Sequence, residues 1–204
     1  MIAAVVLAAG ASSRMGQPKA ALPLGAHGAT LLSRGVSSLL AAGVPRVTVV
    51  AGAHVEAVRR GLLIRHPSVT IVEHAGWRDG QLSSFLCGLD AVDQPQVEAV
   101  LMTLVDVPLV SPGTTRQLIR VWRETGAPIV RPARGETHGH PVLFDRRVFA
   151  ELRAADPQQG AKPVVHAYAR ALVEVPVTDE GAFLDVDTPE DYERALALIA
   201  ELRG

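Results

Sequence analysis

The sequence predicts a single α/β domain over residues 1–204, in which helices cover both faces of a mostly parallel sheet. Three observations predict this fold class. Short, continuous apolar runs that are typical of buried strands alternate with segments of helix length. Hydrophobic residues make up 48% of the 204 residues, which provides a sizeable core and excludes a disordered protein. No internal repeat or linker-like stretch interrupts the alternation, so one domain is expected.

The individual elements are predicted from apolar spacing and from local end signals. Unbroken apolar runs predict strands over residues 2–7, 46–51, 69–72, 97–105, 128–130, 141–144, 173–177 and 183–186. Helical spacing predicts helices over residues 30–42, 54–65, 82–92, 111–124, 148–155 and 162–171, and a last helix from residue 188. Gly43 ends the first helix, and the pairs Ser111-Pro112 and Thr188-Pro189 begin the fourth and the last. In such sheets ligands bind in the loops beyond the carboxyl ends of the strands.

The charge distribution narrows the functional classes. The chain has 20 basic and 21 acidic side chains, and a formal charge of −1 argues against a protein that grips a nucleic-acid backbone. Residues 1–70 hold seven of the basic side chains and a single acidic one, whereas residues 71–204 hold the other 13 basic and the other 20 acidic side chains. A basic first part followed by an acid-rich second part indicates phosphate and metal chemistry.

Cysteine content and hydropathy predict a cytoplasmic protein that does not enter membranes. Cys87 is the only cysteine and lies in an apolar run typical of a buried helix, so no internal disulfide is possible. The first eight residues are apolar but lack the basic start of a signal peptide. They are also far shorter than the roughly 20 apolar residues that span a bilayer.

The loop after the first predicted strand has the composition of a phosphate site. Backbone N–H groups of a glycine-rich turn can surround a phosphate, and Arg14 and Lys19 add two cations on the same loop. Lys19 is one of only two lysines among the 20 basic residues. The loop does not fit the dinucleotide pattern, which requires glycine at Ser12, or the P-loop pattern, which requires lysine at Gln17.

Five blocks of the sequence together resemble one protein family. The first block is Leu7-Ala8-Ala9-Gly10-Ala11-Ser12-Ser13-Arg14-Met15-Gly16-Gln17-Pro18-Lys19. It resembles the signature L-x-x-G-x-S-x-R-M-G-x-x-K of the molybdenum-cofactor nucleotidyltransferases, within the GT-A-like NTP transferase superfamily. Residues 77–85, 105–110, 139–144 and 185–192 are similar to that family's W-x-x-G-M-x-S-S-L, G-D-Q-P-L-V, G-H-P-x-x-F and D-I-D-T-P-E-D-Y. The resemblance covers nearly the whole chain, and the molybdopterin cytidylyltransferases are the most similar branch.

The resemblance implies a single three-layer Rossmann-like domain of the GT-A-like nucleotidyltransferase fold. It implies an Mg²⁺-dependent enzyme that transfers a nucleoside monophosphate from an NTP to the phosphate of a molybdopterin-type molybdenum cofactor and releases pyrophosphate. Guanylyl-transferring relatives carry glycine where this chain has Ala9, so CTP is favoured because the methyl group narrows the base slot.

Several alternatives to this function stay open. They are GTP-dependent transfer, transfer to a sugar, polyol or isoprenoid-precursor phosphate, and a non-catalytic nucleotide-binding factor for molybdoenzyme maturation. A molybdoenzyme or its chaperone is a candidate partner, whereas nucleic acid and membrane are not.

The resemblance also implies roles for individual residues. Arg14 and Lys19 are expected to be catalytic, because they neutralise charge on the triphosphate. The nucleotide is expected to contact Leu7, Ala8, Ala9, Gly10, Ser12, Arg14, Lys19, Gly80, Ser83, Ser84 and Asp106. The acceptor is expected at Gly139, His140 and Lys162. The chain departs from the family here, because Lys162 replaces the arginine of G-D-x-G-A-R and Gln81 replaces the methionine of the second block.

Two carboxylates are predicted to hold Mg²⁺, which prefers oxygen ligands. Asp106 and Asp187 each end a predicted strand, so the fold can bring them together over one metal. Asp185 alternates with Asp187 and would face the other side of a strand over residues 183–186, although a bend would exchange the two. Asp93, in the tripeptide Asp93-Gln94-Pro95, also matches the family motif, but it precedes its strand and is not expected to bind the metal.

Overall fold

One mixed sheet organises the chain. The computed structural model describes residues 1–24 and 28–201. The strands in these residues are β1 (Ile2–Ala8), β2 (Val47–Ala51), β3 (Val69–Glu73), β4 (Ala99–Leu104), β5 (Ile129–Arg134), β6 (Thr137–His138), β7 (Val142–Asp145) and β8 (Val173–Pro176). Their order is β3-β2-β1-β4-β7-β5-β6, with β8 paired to β5. β1 to β4 pair in parallel, as do β5 and β8, while β7 and β6 are antiparallel to their neighbours. The predicted mostly parallel sheet is confirmed.

The helices lie where the apolar spacing predicts them, with two differences in length. They are α1 (Leu31–Ala41), α2 (Val55–Gly61), α3 (Gln81–Val92), α4 (Pro112–Thr125), α5 (Phe149–Ala154), α6 (Lys162–Ala167) and α7 (Pro189–Glu201). α2 and α6 each end four residues before their predicted ends. After α2 the chain turns extended, because Leu62 and Ile64 pack against the core on one side while Leu63 is exposed on the other. In the described residues no helix is long and apolar enough to cross a membrane.

The strand predicted over residues 183–186 is wrong. This segment follows a short 3₁₀ turn over residues 180–182 and pairs with no strand. A single backbone hydrogen bond of 2.7 Å, from the Val186 amide to the Asp106 carbonyl, holds it against the end of β4. Val186 and Leu184 are buried in a small cluster with α7, so their apolar character reflects packing against a helix and not a place in the sheet.

The sheet has a core on each face, and β1 is buried on both. Alternate residues of β1 enter the two cores: Ala4 and Val6 pack with the α1 and α4 side, and Val5 and Leu7 with the α3 side. This burial on both faces explains why the sequence of β1 is a continuous apolar run. The central position of β1 places the loop that follows it at the middle of the carboxyl edge of the sheet.

Helix α3 lies unusually close to β1 and β2 because of one glycine. A Cβ atom at Gly88 would lie 2.7 Å from Cγ2 of Val50 and nearer still to Cγ1 of Val5. Both valines are rigid, branched and fully buried, so neither can yield without disturbing the core. The N-terminus of α3 carries part of the candidate site, and Gly88 therefore helps to set the position of that site.

We expect Gly88→Ala to lower the free energy of unfolding by about 1–3 kcal/mol, the usual cost of overpacking a core. Urea unfolding measures the change. Gly113→Ala in α4 is the matched control, because its Cβ would meet only Ser111 Oγ at 3.5 Å. Alanine there should be neutral or slightly stabilising. Equal stability of the two variants would show that α3 has room to move.

Candidate active site

A cavity of about 480 Å³ opens at the carboxyl edge of the sheet, between the ends of β1 and β4, the loop after β1 and the start of α3. It is lined by Leu7, Ala8, Ala9, Gly10, Ser12, Pro18, Lys19, Ala20, His54, Val58, Trp77, Arg78, Gly80, Gln81, Ser84, Leu104, Val105 and Asp106. Nine of the predicted site residues are among them. The volume lies in the range of small-molecule sites.

The loop after β1 is held in a strained, specific conformation. Ser12 has a left-handed backbone with φ of 53°, which is unfavourable for any residue other than glycine and is typical of functional loops. Its Oγ accepts a hydrogen bond of 3.2 Å from the backbone amide of Lys19. Ser12 thus ties the two ends of the loop together and fixes where the Lys19 side chain begins.

Lys19 joins the phosphate loop to the two predicted metal carboxylates. Its Nζ lies 3.0 Å from Asp106 Oδ2 and also donates to Asp187 Oδ1. Only 7% of Lys19 is exposed. Burial lowers the pKa of Lys19, but the hydrogen bonds and charges of Asp187 and Asp106 outweigh it, so its pKa lies above the ordinary value. In this structure Lys19 is therefore a charged ammonium held between the two carboxylates.

Arg14 extends this charge cluster towards solvent. Its Nη1 donates to Asp187 Oδ2, so both oxygens of this carboxylate are engaged, one by each cation. The hydrogen bond from Lys19, followed by the charges of Lys19 and Arg14, lowers the pKa of Asp187 despite partial burial. The two cations predicted to bind triphosphate are neutralised here by the carboxylates predicted to bind the metal.

The alternation argument does not hold for Asp185, which lies within electrostatic reach of Asp106 and Asp187. The residue is exposed, yet its carboxyl group is partly desolvated and feels the charges of Asp106 and Asp187, all of which raise the pKa of Asp185. The argument fails because residues 183–186 are not a strand and so do not alternate between two faces.

The residues present fit a divalent cation. Asp106 Oδ1 is buried without a hydrogen-bond partner among the described residues, and its other oxygen shares the Lys19 ammonium with Asp187. Within residues 1–24 and 28–201 no group of three or more His, Cys, Asp or Glu is arranged as a complete metal site. Two carboxylates that await further oxygen ligands match Mg²⁺ or Mn²⁺, which complete their shells with water and substrate phosphates. Asp93, by contrast, forms ion pairs with Arg146 and Arg153.

Of the two predicted serines in α3, only Ser84 lines the cavity. Ser83 Oγ donates to the Gly80 carbonyl at 2.8 Å and lies 3.0 Å from His74 Nε2. It supports the turn that begins α3, where Gly80 has a φ of 109°. The predicted contact of Ser83 with a nucleobase is therefore replaced by a structural role behind the cavity wall.

Of the predicted acceptor residues, Gly139 and His140 lie together, whereas Lys162 begins α6. The Gly139 amide donates to Pro132 O, and the His140 amide donates to Ala182 O at 2.9 Å, beside the segment that leads to Asp187. Burial lowers the pKa of His140, although the Met102 backbone and the charge of Asp106 oppose it. Lys162 is exposed at the start of α6 and does not line the cavity.

Four cavity residues with polar or aromatic side chains were not predicted from the sequence: His54, Trp77, Arg78 and Gln81. They follow β2 and β3, whose carboxyl ends were expected to carry ligand contacts, and strand order alone could have drawn attention to them. Arg78 stacks on the Trp77 ring, with 4.3 Å between the guanidinium carbon and the ring centroid.

The family of this chain is shown by a match over most of its length. Residues 4–175 match the family model described as the MobA-like NTP transferase domain. The chain belongs to this family. The predicted nucleotidyltransferase is thereby confirmed.

Curated relatives cover nearly the full length of the chain. The nicotine blue oxidoreductase of Paenarthrobacter nicotinovorans is 32% identical and aligns over 96% of both chains. The probable molybdenum cofactor guanylyltransferase of Mycobacterium avium is 31% identical over 96% of this chain and 95% of that one. The molybdenum cofactor cytidylyltransferase of Escherichia coli is 25% identical over 97% of this chain and 97% of its own length.

Solved structures share the fold. A nucleotidyl transferase from Methanothermobacter thermautotroptrophicus is 25% identical, with a TM-score of 0.83 over 99% of both chains. The manganese complex of Rv0371C from Mycobacterium tuberculosis is 30% identical, with a TM-score of 0.73 over 96% of this chain and 98% of that one. The predicted three-layer nucleotidyltransferase fold is confirmed.

We expect Lys19→Met to destabilise the metal-free protein, because Asp106 and Asp187 would repel each other without the ammonium. Removing one partner of a buried pair costs about 3–5 kcal/mol, and partial exposure of Asp187 reduces the expected loss to about 1–3 kcal/mol. Thermal unfolding in the presence of a chelator measures it. Added Mn²⁺ should restore more stability to the variant than to the wild-type protein. An equal effect of Mn²⁺ on the two proteins would show that Lys19 does not hold the two carboxylates together.

Proposed function

We propose that this chain transfers a nucleoside monophosphate, with CTP as the favoured donor, to the phosphate of a molybdopterin-type molybdenum cofactor, with Mg²⁺ as the metal. One observation carries the proposal: Lys19 bridges Asp106 and Asp187 beside a nucleotide-sized cavity, in a chain of the MobA-like NTP transferase family. A cation that can bind phosphate thus lies in contact with two carboxylates that can bind a metal ion, and transfer of a nucleotidyl group uses both kinds of group.

The proposed reaction is a displacement at the α-phosphorus of the NTP. An oxygen of the acceptor phosphate forms a bond to this phosphorus, the bond to the β-phosphate oxygen breaks, and pyrophosphate leaves with the electron pair. Lys19 and Arg14 are proposed to turn from the carboxylates to the phosphates and to neutralise the charge that moves onto the leaving group. A divalent metal held by Asp106 and Asp187 would supply further charge neutralisation when bound.

Ala9 is proposed to favour the pyrimidine. It lies directly after β1 and lines the cavity, and its methyl group is proposed to reduce the width available to a base. The relatives include both a guanylyltransferase and a cytidylyltransferase, and the family resemblance implies glycine at this position in the guanylyl branch. One methyl group discriminates modestly, so Ala9 is proposed as one contributor to base choice.

The acceptor is proposed to approach from the side of Gly139 and His140, whose backbone is held against residue 182 near the carboxylates. A neutral, buried His140 can exchange hydrogen bonds with an acceptor phosphate without adding a charge. Lys162 is proposed as a more distant contact, since it is exposed at the start of α6.

A redox reaction is the second candidate, because a relative named nicotine blue oxidoreductase aligns over 96% of the chain. Two features favour the transferase. The loop after β1 does not fit the dinucleotide glycine pattern, and hydride transfer has no need of paired carboxylates around a lysine. A non-catalytic binding factor is disfavoured for the same reason, since binding alone does not require that cluster.

Pyrophosphate release is the experiment that tests the proposal. The wild-type protein would be incubated with Mg²⁺ or Mn²⁺ and CTP, GTP, ATP or UTP, with and without molybdopterin. Release only with molybdopterin, and fastest with CTP, is expected. Release with a sugar phosphate instead would change the acceptor. Oxidation of NADH or NADPH with a blue dye substrate, and no pyrophosphate, would favour the redox reaction, and no turnover of either kind would favour a binding factor.

We expect Lys19→Ala to reduce turnover by more than about tenfold, or about 1.4 kcal/mol of transition-state stabilisation. Initial rates at saturating NTP and acceptor measure the loss. Arg170→Ala, an exposed arginine outside the cavity, serves as the control for removal of one positive charge. A smaller loss would remove Lys19 from the proposed role at the leaving group.

We expect Ala9→Gly to raise the ratio of GTP to CTP turnover, within the roughly 10–200-fold range that one methyl group can produce. The measurement is kcat/KM for both nucleotides with the same acceptor. An unchanged ratio would show that base choice resides elsewhere in the cavity.

A further inference from the structure

The wall of the cavity opposite the phosphate loop carries a cation with a different environment from Arg14 and Lys19. Those two contact carboxylates, whereas the exposed Arg78 has no hydrogen bond or ion pair with any residue that the structure describes. Its guanidinium lies over an aromatic ring instead, with its carbon 4.3 Å from the Trp77 centroid. Both side chains line the cavity.

The base of this wall is fixed by a close approach. A Cβ atom at Gly52 would lie 2.6 Å from Ala9 O, 2.8 Å from Ala9 Cβ and 2.7 Å from Trp77 Cβ. The missing side chain at position 52 therefore lets the Trp77 backbone lie directly beside the end of β1. A hydrogen bond of 2.9 Å from the Ala53 amide to Ala9 O adds to this attachment. Trp77 is anchored next to Ala9, and its ring extends from there to Arg78.

We propose that Trp77 and Arg78 form a platform on which the nucleobase of the NTP stacks. Planar guanidinium and indole groups both stack on nucleobases, and the contact tolerates any base because each has a π face. The inference rests on the proposed function to the extent that the ligand is an NTP. Arg78 falls on a variable position of the W-x-x-G segment, so the family resemblance assigns it no role.

Under this proposal, base selection and base affinity come from different parts of the cavity. Ala9 and Ser84 line the cavity and can select between bases, while the stacking surface of Trp77 and Arg78 adds affinity for any base. Loss of Arg78 should therefore raise KM for the NTP and leave kcat and the ratio of CTP to GTP nearly unchanged.

A charge contact to phosphate is the alternative for Arg78, and two substitutions separate it from stacking. Arg78→Ala removes both the charge and the plane, whereas Arg78→Lys keeps the charge and removes the plane. Under the proposal, both variants bind CTP about fivefold or more weakly by calorimetry and bind inorganic tripolyphosphate as the wild-type protein does. Arg170→Ala is again the control. Weakened tripolyphosphate binding, or a lysine variant equal to wild type, would make Arg78 a phosphate ligand and overturn the platform.

Tryptophan fluorescence provides an independent readout. The chain has two tryptophans, and Trp122 lies on α4, where its Nε1 donates to Asp145 at 2.9 Å. Trp122→Phe leaves Trp77 as the single reporter. We expect saturable quenching by CTP and none by tripolyphosphate. Should this variant fold poorly, the calorimetric series in the wild-type background decides alone.

The result is distinguishable from failure of the proposed function. CTP binding that depends on Arg78, together with no pyrophosphate release, would refute the transferase and leave the platform standing. CTP binding that is indifferent to both Arg78 substitutions, or no binding of any NTP to the wild-type protein, would refute the platform.

Discussion

The Lys19 ammonium between Asp106 and Asp187 is the interaction on which the site depends. It joins three parts of the chain that are far apart in sequence: the loop after β1, the end of β4 and the start of α7. Two carboxylates at this separation repel each other strongly in a partly buried setting, and a shared cation turns that repulsion into attraction. The cation that is proposed to act on phosphate is thus also the cation that holds the two proposed metal ligands together.

The sheet prepares this meeting point through the burial of β1. Because β1 lies between β2 and β4 and is covered on both faces, its carboxyl end has little freedom, and Ala8 and Ala9 are themselves buried. Helix α3, held close by Gly88, brings Gly80 and Ser84 to the same edge. The rigid part of the cavity is therefore backbone and small side chains, while the groups that must move, Lys19 and Arg14, are long and flexible.

The fold and the phosphate side of the site could be predicted from the sequence because they rest on local patterns. Alternating apolar runs indicated the strands, and the spacing from Gly10 to Lys19 indicated the loop. What could not be predicted depended on tertiary packing. Residues 183–186 have the apolar residues of a strand but bury them against α7, so strand alternation does not separate Asp185 from Asp187. Ser83 and Ser84 are adjacent in sequence, and only the rotation of α3 decides which one faces the cavity.

The backbone hydrogen bond between Val186 and Asp106 has a kinetic consequence. It ties the residue before Asp187 to the residue that carries the other carboxylate, so the main chain brings the two acids near each other and the Lys19 ammonium then bridges them. For the proposed binding of a divalent cation and an NTP, Lys19 and Arg14 would leave the carboxylates by rotation about their own side-chain bonds. Rotations of an exposed side chain such as Arg14 take picoseconds to nanoseconds, whereas loop and domain rearrangements extend into microseconds and beyond. The proposed exchange of charged ligands would therefore not require the fold to open.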